Sequence, residues 1–510
     1  MYPSRSLPHL LTGLLLLIVF PCLVAQTPSQ QLLFTYQQGK RPQVIDLNEH
    51  GIVVILDTAR TDQDYDARGS RTLEVLHYDT SLQLIRQWTT YRPTNVFFRN
   101  HRLQGNRLHV LYHAQGERKE AQPFFVFSLD LMAETLSSAE GSFPEALESV
   151  RLCGHEQHIY VTGNTRGNKA ALFAVNMPSG AVTSHLTATF KKFVRVFSMT
   201  AKDDYLYATV GNQTAKKKFD NYLYRFDKQG ELESIDALDP PFPGVLGDCK
   251  LYPSGDELFV IGQMGRYVYY DPYTTRLKRK FGTFVFYRIQ GTTIQTPTFI
   301  PYSELGLVDV TLDRLEFSNE QDYHDKLNKK TVTWAKDLAV LHPPIPQADG
   351  YLCILEMYRG RGVFNEQREL VFDGWESRSI IFASLDDSLQ RVQERHRFKA
   401  PSYTRWSLYP AWISAMDQNK INLQRTSNTG KYLYWYQYNL DVPTKLKKER
   451  MVREDKKTDK RSKQAFQRRR FWYGNHVLDY GFLESERTRP KKGEPHRFFI
   501  RKAVFNVQNE

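Results

Sequence analysis

The stretch "NRLHVLYHAQ" at residues 106–115 decides the fold, because its pattern returns along the chain. In each copy a polar turn is followed by alternating apolar residues, which is the period of a half-buried β-strand. Equivalent stretches stand at 157–165, 204–212 and 256–264, and their aligned positions are 51, 47 and 52 residues apart. A period of about 50 residues is typical of architectures that repeat one small sheet or solenoid unit.

A β-hairpin is predicted after each copy of this stretch. The segments "FFVFSLDLMAETL" (124–136), "ALFAVNMPSGAV" (171–182) and "YLYRFDKQGELESI" (222–235) each hold an apolar strand, a turn rich in Asp, Asn, Pro or Gly, and a more polar strand. A further apolar strand precedes each copy, as in "ESVRLCG" (148–154). The repeating unit is therefore four successive strands with a polar outermost one.

Four-stranded antiparallel units repeated seven or eight times are predicted to close as a β-propeller, which leaves only short, protected sheet edges. The chain thus resembles secreted β-propeller repeat proteins in architecture, and no blade signature in it assigns a narrower family. This all-β fold is expected to close by pairing of its N- and C-terminal strands, since "QLLFTY" (31–36) can supply the outer strand that the last repeat lacks. Residues 285–345 fit the repeat badly, so the blade count stays open. Two packed β-sandwich or barrel domains are the structural alternative.

The N-terminal segment 1–25 predicts a cleavable signal peptide. The basic residue Arg5 precedes an apolar run over 10–24, and the small residue Ala25 follows that run. A run of about 15 residues is short for a membrane span, and no later stretch is long enough for one. Cleavage is expected after Ala25, so that residues 26–510 form a single exported propeller domain, either secreted or held in the periplasm or cell envelope.

The cysteines and histidines of the mature chain do not predict a zinc site. Cys153, Cys249 and Cys353 each lie in an apolar, strand-like run, so we interpret them as small buried hydrophobic residues. Three thiols allow at most one internal disulfide. His109 and His113 share one strand face, but no third ligand is evident, and no Cys-x-x-Cys or His-Glu-x-x-His motif occurs. The sequence therefore predicts no cofactor.

One acidic stretch resembles the start of a calcium loop. "DQDYD" places Asp62, Asp64 and Asp66 at alternate positions. The glycine that such a loop needs at its sixth position is Ala67, and the glutamate at its twelfth is Leu73. A solvated acidic loop is therefore favoured, and the three aspartates are only weak candidates for a metal site.

Most of the formal net charge of +13 comes from one segment of the chain. Residues 445–470 contain thirteen Lys or Arg and four Asp or Glu residues. The run 453–470 is predicted to be a basic inter-blade loop on the same propeller face as the loops between the second and third strands of each unit. Binding residues concentrate in such loops on rigid scaffolds. The candidate ligand-binding residues on this face are Arg359, Arg361, Trp375, Arg378, Lys216, Lys217, Arg468, Arg469, Arg470 and Trp472.

These residues favour a binding or scaffold function over catalysis. A basic face with aromatic side chains would suit an anionic polysaccharide, a lipid surface or a protein partner outside the cell. The alternative explanation is that these charges only keep the loops soluble. A competing hypothesis is an enzyme, a polysaccharide-active hydrolase or lyase with its site at the mouth of the central channel. Export and the lack of a recognition motif argue against nucleic acid.

Overall fold

The structure is a computed structural model of the 510-residue chain. It describes residues 31–36, 42–58, 70–114, 121–165, 170–185, 194–215, 218–240, 245–254, 256–267, 280–302, 304–305, 338–364, 370–399, 404–405, 413–417, 420–426, 432–440, 446–452, 467–473, 476–482 and 496–504. Within these ranges the regular structure is β-strand, apart from one 3-10 turn at Asn48–His50. No helix in the same ranges has the length and apolarity needed to cross a membrane.

The first half of the chain forms four antiparallel sheets of four consecutive strands, after an initial strand β1 (Gln31–Tyr36) that joins the last sheet. Sheet 1 contains β2 (Gln43–Asp46), β3 (Ile52–Thr58), β4 (Ser70–Tyr78) and β5 (Leu84–Pro93). Sheet 2 contains β6 (Val96–Gln104), β7 (Arg107–Ala114), β8 (Gln122–Asp130) and β9 (Thr135–Phe143). Sheet 3 contains β10 (Leu147–His155), β11 (His158–Thr165), β12 (Ala170–Asn176) and β13 (Val182–Ser184). Sheet 4 contains β14 (Val194–Lys202), β15 (Tyr205–Ala215), β16 (Lys218–Phe226) and β17 (Leu232–Ala237).

The second half repeats this arrangement with additions at sheets 5 and 6. Sheet 5 contains β18 (Val245–Ser254), β19 (Glu257–Tyr267), β20 (Lys280–Gln290), β21 (Thr293–Ile294) and β22 (Thr298–Pro301). Sheet 6 contains β23 (Leu338–Leu341), β24 (Ile345–Gln347), β25 (Gly350–Phe364), β26 (Leu370–Leu385), β27 (Val392–Lys399) and β28 (Thr404–Arg405). Sheet 7 contains β29 (Ile413–Asp417), β30 (Lys420–Thr426), β31 (Tyr432–Asn439) and β32 (Leu446–Val452). Sheet 8 contains β33 (Gln467–Phe471), β34 (His476–Phe482) and β35 (His496–Val504), with β1 beside β35.

The repeat predicted from the sequence is the repeat of these sheets. Leu108, Ile159, Leu206 and Leu258 each lie in the second strand of their sheet, and each is at most 1% exposed. The outermost strands β5, β9, β17 and β27 are mostly exposed, as their polar sequences predict. The described residues therefore form eight sheets in chain order, and the all-β propeller fold is confirmed.

Buried apolar side chains join each sheet to a neighbour. Leu111 and Phe124 of sheet 2 pack with Val161 and Phe173 of sheet 3, and comparable clusters lie between the sheets that follow. Both faces of a sheet are therefore buried, which corrects the half-buried alternation predicted from the sequence. Second strands such as β7 are buried at nearly every position and are mostly apolar for this reason. Between sheets 7 and 8 the contact runs through β30 and β33.

The two ends of the chain meet in sheet 8. β1 pairs antiparallel with β35, with Phe34 opposite Phe498 in the register. Buried residues of sheets 1 and 8 form one further cluster, which includes Ile52 and Leu478. No sheet among the described residues closes on itself, so closure of the whole ring by the terminal strands stays a prediction.

Cys153, Cys249 and Cys353 are buried free thiols, which confirms their interpretation as small hydrophobic residues. Burial raises the pKa of the Cys153 thiol, and it raises the pKa of Cys353 to about 12. Both thiols are therefore protonated and unreactive at neutral pH.

Candidate functional site

The first strands of the sheets converge toward a common centre. Asn100 in β6 donates from Nδ2 to the carbonyl of Val150 in β10, at 2.9 Å. Arg102 in β6 donates from Nη1 to the carbonyl of Met199 in β14, also at 2.9 Å. Because Arg102 reaches from sheet 2 past sheet 3 to sheet 4, these strands must line a narrow centre. We call β2, β6, β10, β14, β18, β23, β24, β29 and β33 the inner strands.

The inner strands carry an excess of positive charge. They contain nine Lys or Arg residues and four Asp or Glu residues. Like charges lined up along low-dielectric walls focus their field toward the opening. The basic residues are Arg99, Arg102, Arg151, Arg195, Lys202, Lys250, Arg468, Arg469 and Arg470, and the acidic ones are Asp46, Glu148, Asp248 and Asp417.

Two of these arginines are held by neutral groups. Arg99 donates from Nε to the carbonyl of His113 and from Nη2 to that of Ala114, each at 3.3 Å. Arg102 donates from Nη2 to the hydroxyl of Thr200 at 3.3 Å. Carbonyl and hydroxyl oxygens position a guanidinium group without neutralising it. In these hydrogen bonds both arginines therefore keep their positive charge.

The structure corrects the prediction that residues 453–470 are a loop throughout. Residues 467–470 begin the inner strand β33, while residues 453–466 lie outside the described part of the chain. In the register Arg468, Arg469 and Arg470 stand opposite Tyr480, Asp479 and Leu478. The next strand along the chain, β34, thus supplies the backbone partners that turn the arginine run into a strand, and the run itself does not reveal this pairing.

Trp472, a predicted ligand-binding residue, is part of the core. Its side chain is 1% exposed and packs between sheets 1 and 8. The indole Nε1 donates to the carbonyl of Gly51 at 3.1 Å, and the ammonium group of Lys502 lies 5.9 Å from the ring centroid. A buried indole cannot stack on an external ligand, so Trp472 in this position cannot contact a ligand on the propeller surface.

The remaining predicted residues fall into two groups. Arg359 and Arg361 lie in β25, and Trp375 and Arg378 lie in β26, where the sequence predicted a loop. These strands continue as a long hairpin because apolar residues oppose one another near its tip, as Val363 and Val371 do. Chain topology puts this hairpin tip at the same end of the sheets as the start of β33. Lys216, Lys217, Asp62, Asp64 and Asp66 lie outside the described residues.

One buried network in sheet 6 combines groups that catalysis often uses. His342 Nε2 lies 2.6 Å from Glu356 Oε1, and the Tyr358 hydroxyl donates to the other oxygen of Glu356. All three side chains are at most 2% exposed, so a substrate has no access to them in this conformation. The network therefore joins strands within sheet 6. Across the ranges that the structure describes, no three His, Cys, Asp or Glu side chains come together as a metal site.

Compared with known protein families and with curated proteins, the chain matches none. Similar solved structures include polysaccharide lyase Uly1, at 7% identity and a TM-score of 0.38, covering 80% of this chain and 89% of that chain. The β-propeller domain of the Trilobed protease from Pyrococcus furiosus has 8% identity and a TM-score of 0.36, and the match covers 82% of this chain and 97% of that domain's chain. The WD40 domain of SCAP from fission yeast has 10% identity and a TM-score of 0.40, and the match covers 80% of this chain and 85% of that domain's chain. At this level of similarity these structures carry no argument about ligand or mechanism.

Proposed function

We propose that this protein is an exported β-propeller that binds an anionic ligand outside the cell or in its envelope, without catalysis. The ligand class is a polymer or surface that carries repeated sulfate, carboxylate or phosphate groups. The observation that supports this most is the charge of the inner strands, where nine basic residues stand against four acidic ones. Export rests on the signal predicted over residues 1–25.

The position of the charge supports a ligand that approaches from one end of the sheets. Arg468 stands near the start of β33, at the end where the long hairpin of β25 and β26 projects. The second and third strands of sheets 3 and 4 also meet at this end, and the short stretches between them contain Arg166, Lys169, Lys216 and Lys217. Together they would surround the opening with positive charge, which a polyanion could contact at several points at once.

Reversing two charges at this opening is expected to weaken anion binding. We choose Arg468→Glu together with Arg470→Glu and leave Arg469 unchanged, because a glutamate there would stand opposite Asp479 in the register. Binding of the mature protein to immobilised heparin at low salt should fall by about tenfold or more, since each reversal replaces attraction by repulsion. Affinity is measured by surface plasmon resonance at two salt concentrations.

The matched control reverses two exposed charges at the other end of the sheets. Lys228 and Arg391 lie in turns between third and fourth strands, and Lys228→Glu with Arg391→Glu changes the net charge equally. This control should retain binding. Equal losses in both variants would refute a local site, as would equal binding of neutral dextran. Phosphatidylserine vesicles distinguish a lipid surface from a polysaccharide, and release of cleaved heparin fragments would replace this proposal by the enzyme hypothesis.

A further inference from the structure

A separate cleft opens between sheets 2 and 3, at the end of the sheets opposite the basic opening. Its volume is about 450 Å³, which is within the usual range of small-molecule sites. It is bounded by the starts of β7, β9 and β11, the end of β8, and the turns that follow β10 and β12. No residue of the basic opening takes part in its lining.

The sheet 2 side of the cleft changes from apolar to polar along the strands. On the face of sheet 2 that packs against sheet 3, the register aligns Leu111, Val126 and Ala139 in one buried apolar row. One step toward the cleft, the aligned residues are His109, Ser128 and Ser137, and the step after that aligns Arg107, Asp130 and Thr135. Two successive polar rows over an apolar core make a floor of hydrogen-bonding groups.

The side chains of these rows are fixed by their own contacts. His109 Nδ1 lies 2.7 Å from the hydroxyl of Ser128. The imidazole ring fits only because residue 154 is glycine, since a Cβ there would stand 2.0 Å from His109 Nε2. Arg107 Nε donates to Asp130 at 3.1 Å, and its Nη1 donates to the carbonyl of Glu156 at 3.4 Å. A site with pre-positioned donors and acceptors loses little entropy when it binds a ligand.

The opposite wall belongs to sheet 3 and combines apolar and polar residues. Its apolar part is Ile159, Met177 and Pro178, and its polar part is Glu156, Gln157 and His158. Ile159 is fully buried and Met177 is 9% exposed, so both are parts of the core that reach the cleft. The cleft thus offers hydroxyl and imidazole groups on one side, and apolar carbon atoms beside polar groups on the other.

Two of the three charged side chains of the cleft, Arg107 and Asp130, form an ion pair. Burial and the nearby charges of Arg107 and Arg102 lower the pKa of His109 to about 4, so its ring is neutral at pH 7. The pKa of Asp130 is lowered by the backbone N–H groups of Ala133 and Met132 and by Arg107, which keeps it ionised and paired. Glu156, at the turn after β10, is the one further charge in this lining, in contrast with the several cations of the basic opening.

We propose that this cleft binds a neutral, hydroxyl-rich ligand of one or two sugar rings. The polar rows would exchange hydrogen bonds with the sugar hydroxyl groups, and the apolar wall would cover the C–H side of a ring. This inference goes beyond the anion-binding function and does not depend on it. The protein would then contact a neutral sugar and an anionic ligand at opposite ends of its sheets.

The test fills the cleft from the outermost strand. Ser137→Trp places an indole in the first polar row, beside Ser128. Ser142→Trp places one on the same strand but on its other face, and both serines are exposed. Binding of glucose, galactose, mannose, N-acetylglucosamine and their disaccharides is measured by saturation-transfer NMR with the mature protein. We expect a binding signal for at least one sugar. The affinity for that sugar should fall by about tenfold in Ser137→Trp and stay unchanged in Ser142→Trp.

Hydrogen–deuterium exchange of the unmodified protein locates the site even if Ser137→Trp fails to fold. The bound sugar should slow exchange in residues 128–137 and 156–159, and higher salt should not weaken binding because no net charge is involved. The Arg468→Glu, Arg470→Glu variant should bind the sugar as the unmodified protein does. Absence of binding to every sugar, a normal signal in Ser137→Trp, or protection confined to β33 would each overturn the proposal.

Discussion

Replacing Trp472 with alanine is expected to lower the free energy of unfolding by about 3–5 kcal/mol. The indole is fully enclosed between sheets 1 and 8, and its removal leaves a cavity where the two ends of the chain come together. It also leaves the carbonyl of Gly51 without the Nε1 donor that lies 3.1 Å away. Chemical denaturation monitored by circular dichroism measures the change.

Two further variants separate the causes of this loss. Trp472→Phe keeps most of the buried ring but not the hydrogen bond, so it should cost about 1–3 kcal/mol. Met132→Ala, at a side chain that is 72% exposed, should stay within about 0.5 kcal/mol of the unmodified protein. A Trp472→Ala variant as stable as Met132→Ala would show that contact between the first and last sheets does not stabilise the fold.

Lowering the pH from about 6.5 to about 4 is expected to destabilise the protein through two buried histidines. Burial and neighbouring arginines lower the pKa of both His109 and His113 to about 4, from an ordinary value of 6.5. The unfolded chain therefore takes up these protons first as the pH falls. Each imidazole should remove about 3 kcal/mol of unfolding free energy across this window, with no contribution above pH 6.5 and no further loss below pH 4.

The variants His109→Asn and His113→Phe should flatten this part of the stability profile. Asparagine can keep a hydrogen bond to Ser128, and phenylalanine suits a ring that lies 5.5 Å from the ring of Phe143. The exposed His101→Asn variant is the control. Unfolding free energies at several pH values between 4 and 8 provide the measurement. An unchanged slope in the double variant would show that other groups cause the acid sensitivity.

The strands and their repeat were predictable because their signal is local. Leu108, Ile159, Leu206 and Leu258 recur at nearly equal spacing, and each begins an apolar strand that must bury both of its faces. Turn residues between these strands mark the hairpins in the same direct way. Such patterns need only a few neighbouring residues, so they predict the all-β propeller and the polar outermost strands.

The candidate sites depend on pairings that a linear pattern does not contain. Arg468, Arg469 and Arg470 resembled a loop because their charge masks the hairpin that they form with the next strand, β34. Trp472 resembled a surface residue until sheet 1 covered it. The polar rows of the second cleft were equally hidden, since their members come from three strands. An even spacing of His109 and His113 was the one local sign that these residues share a face.

By itself, then, the sequence determined the period, the strand order and the excess of basic residues, because each follows from the spacing or composition of nearby positions. Only the tertiary structure decided which of those residues are exposed. It placed three arginines on an inner strand, buried Trp472 and aligned His109, Ser128 and Ser137 beside an open cleft. The physical reason is that burial and cross-strand register depend on which distant strands meet.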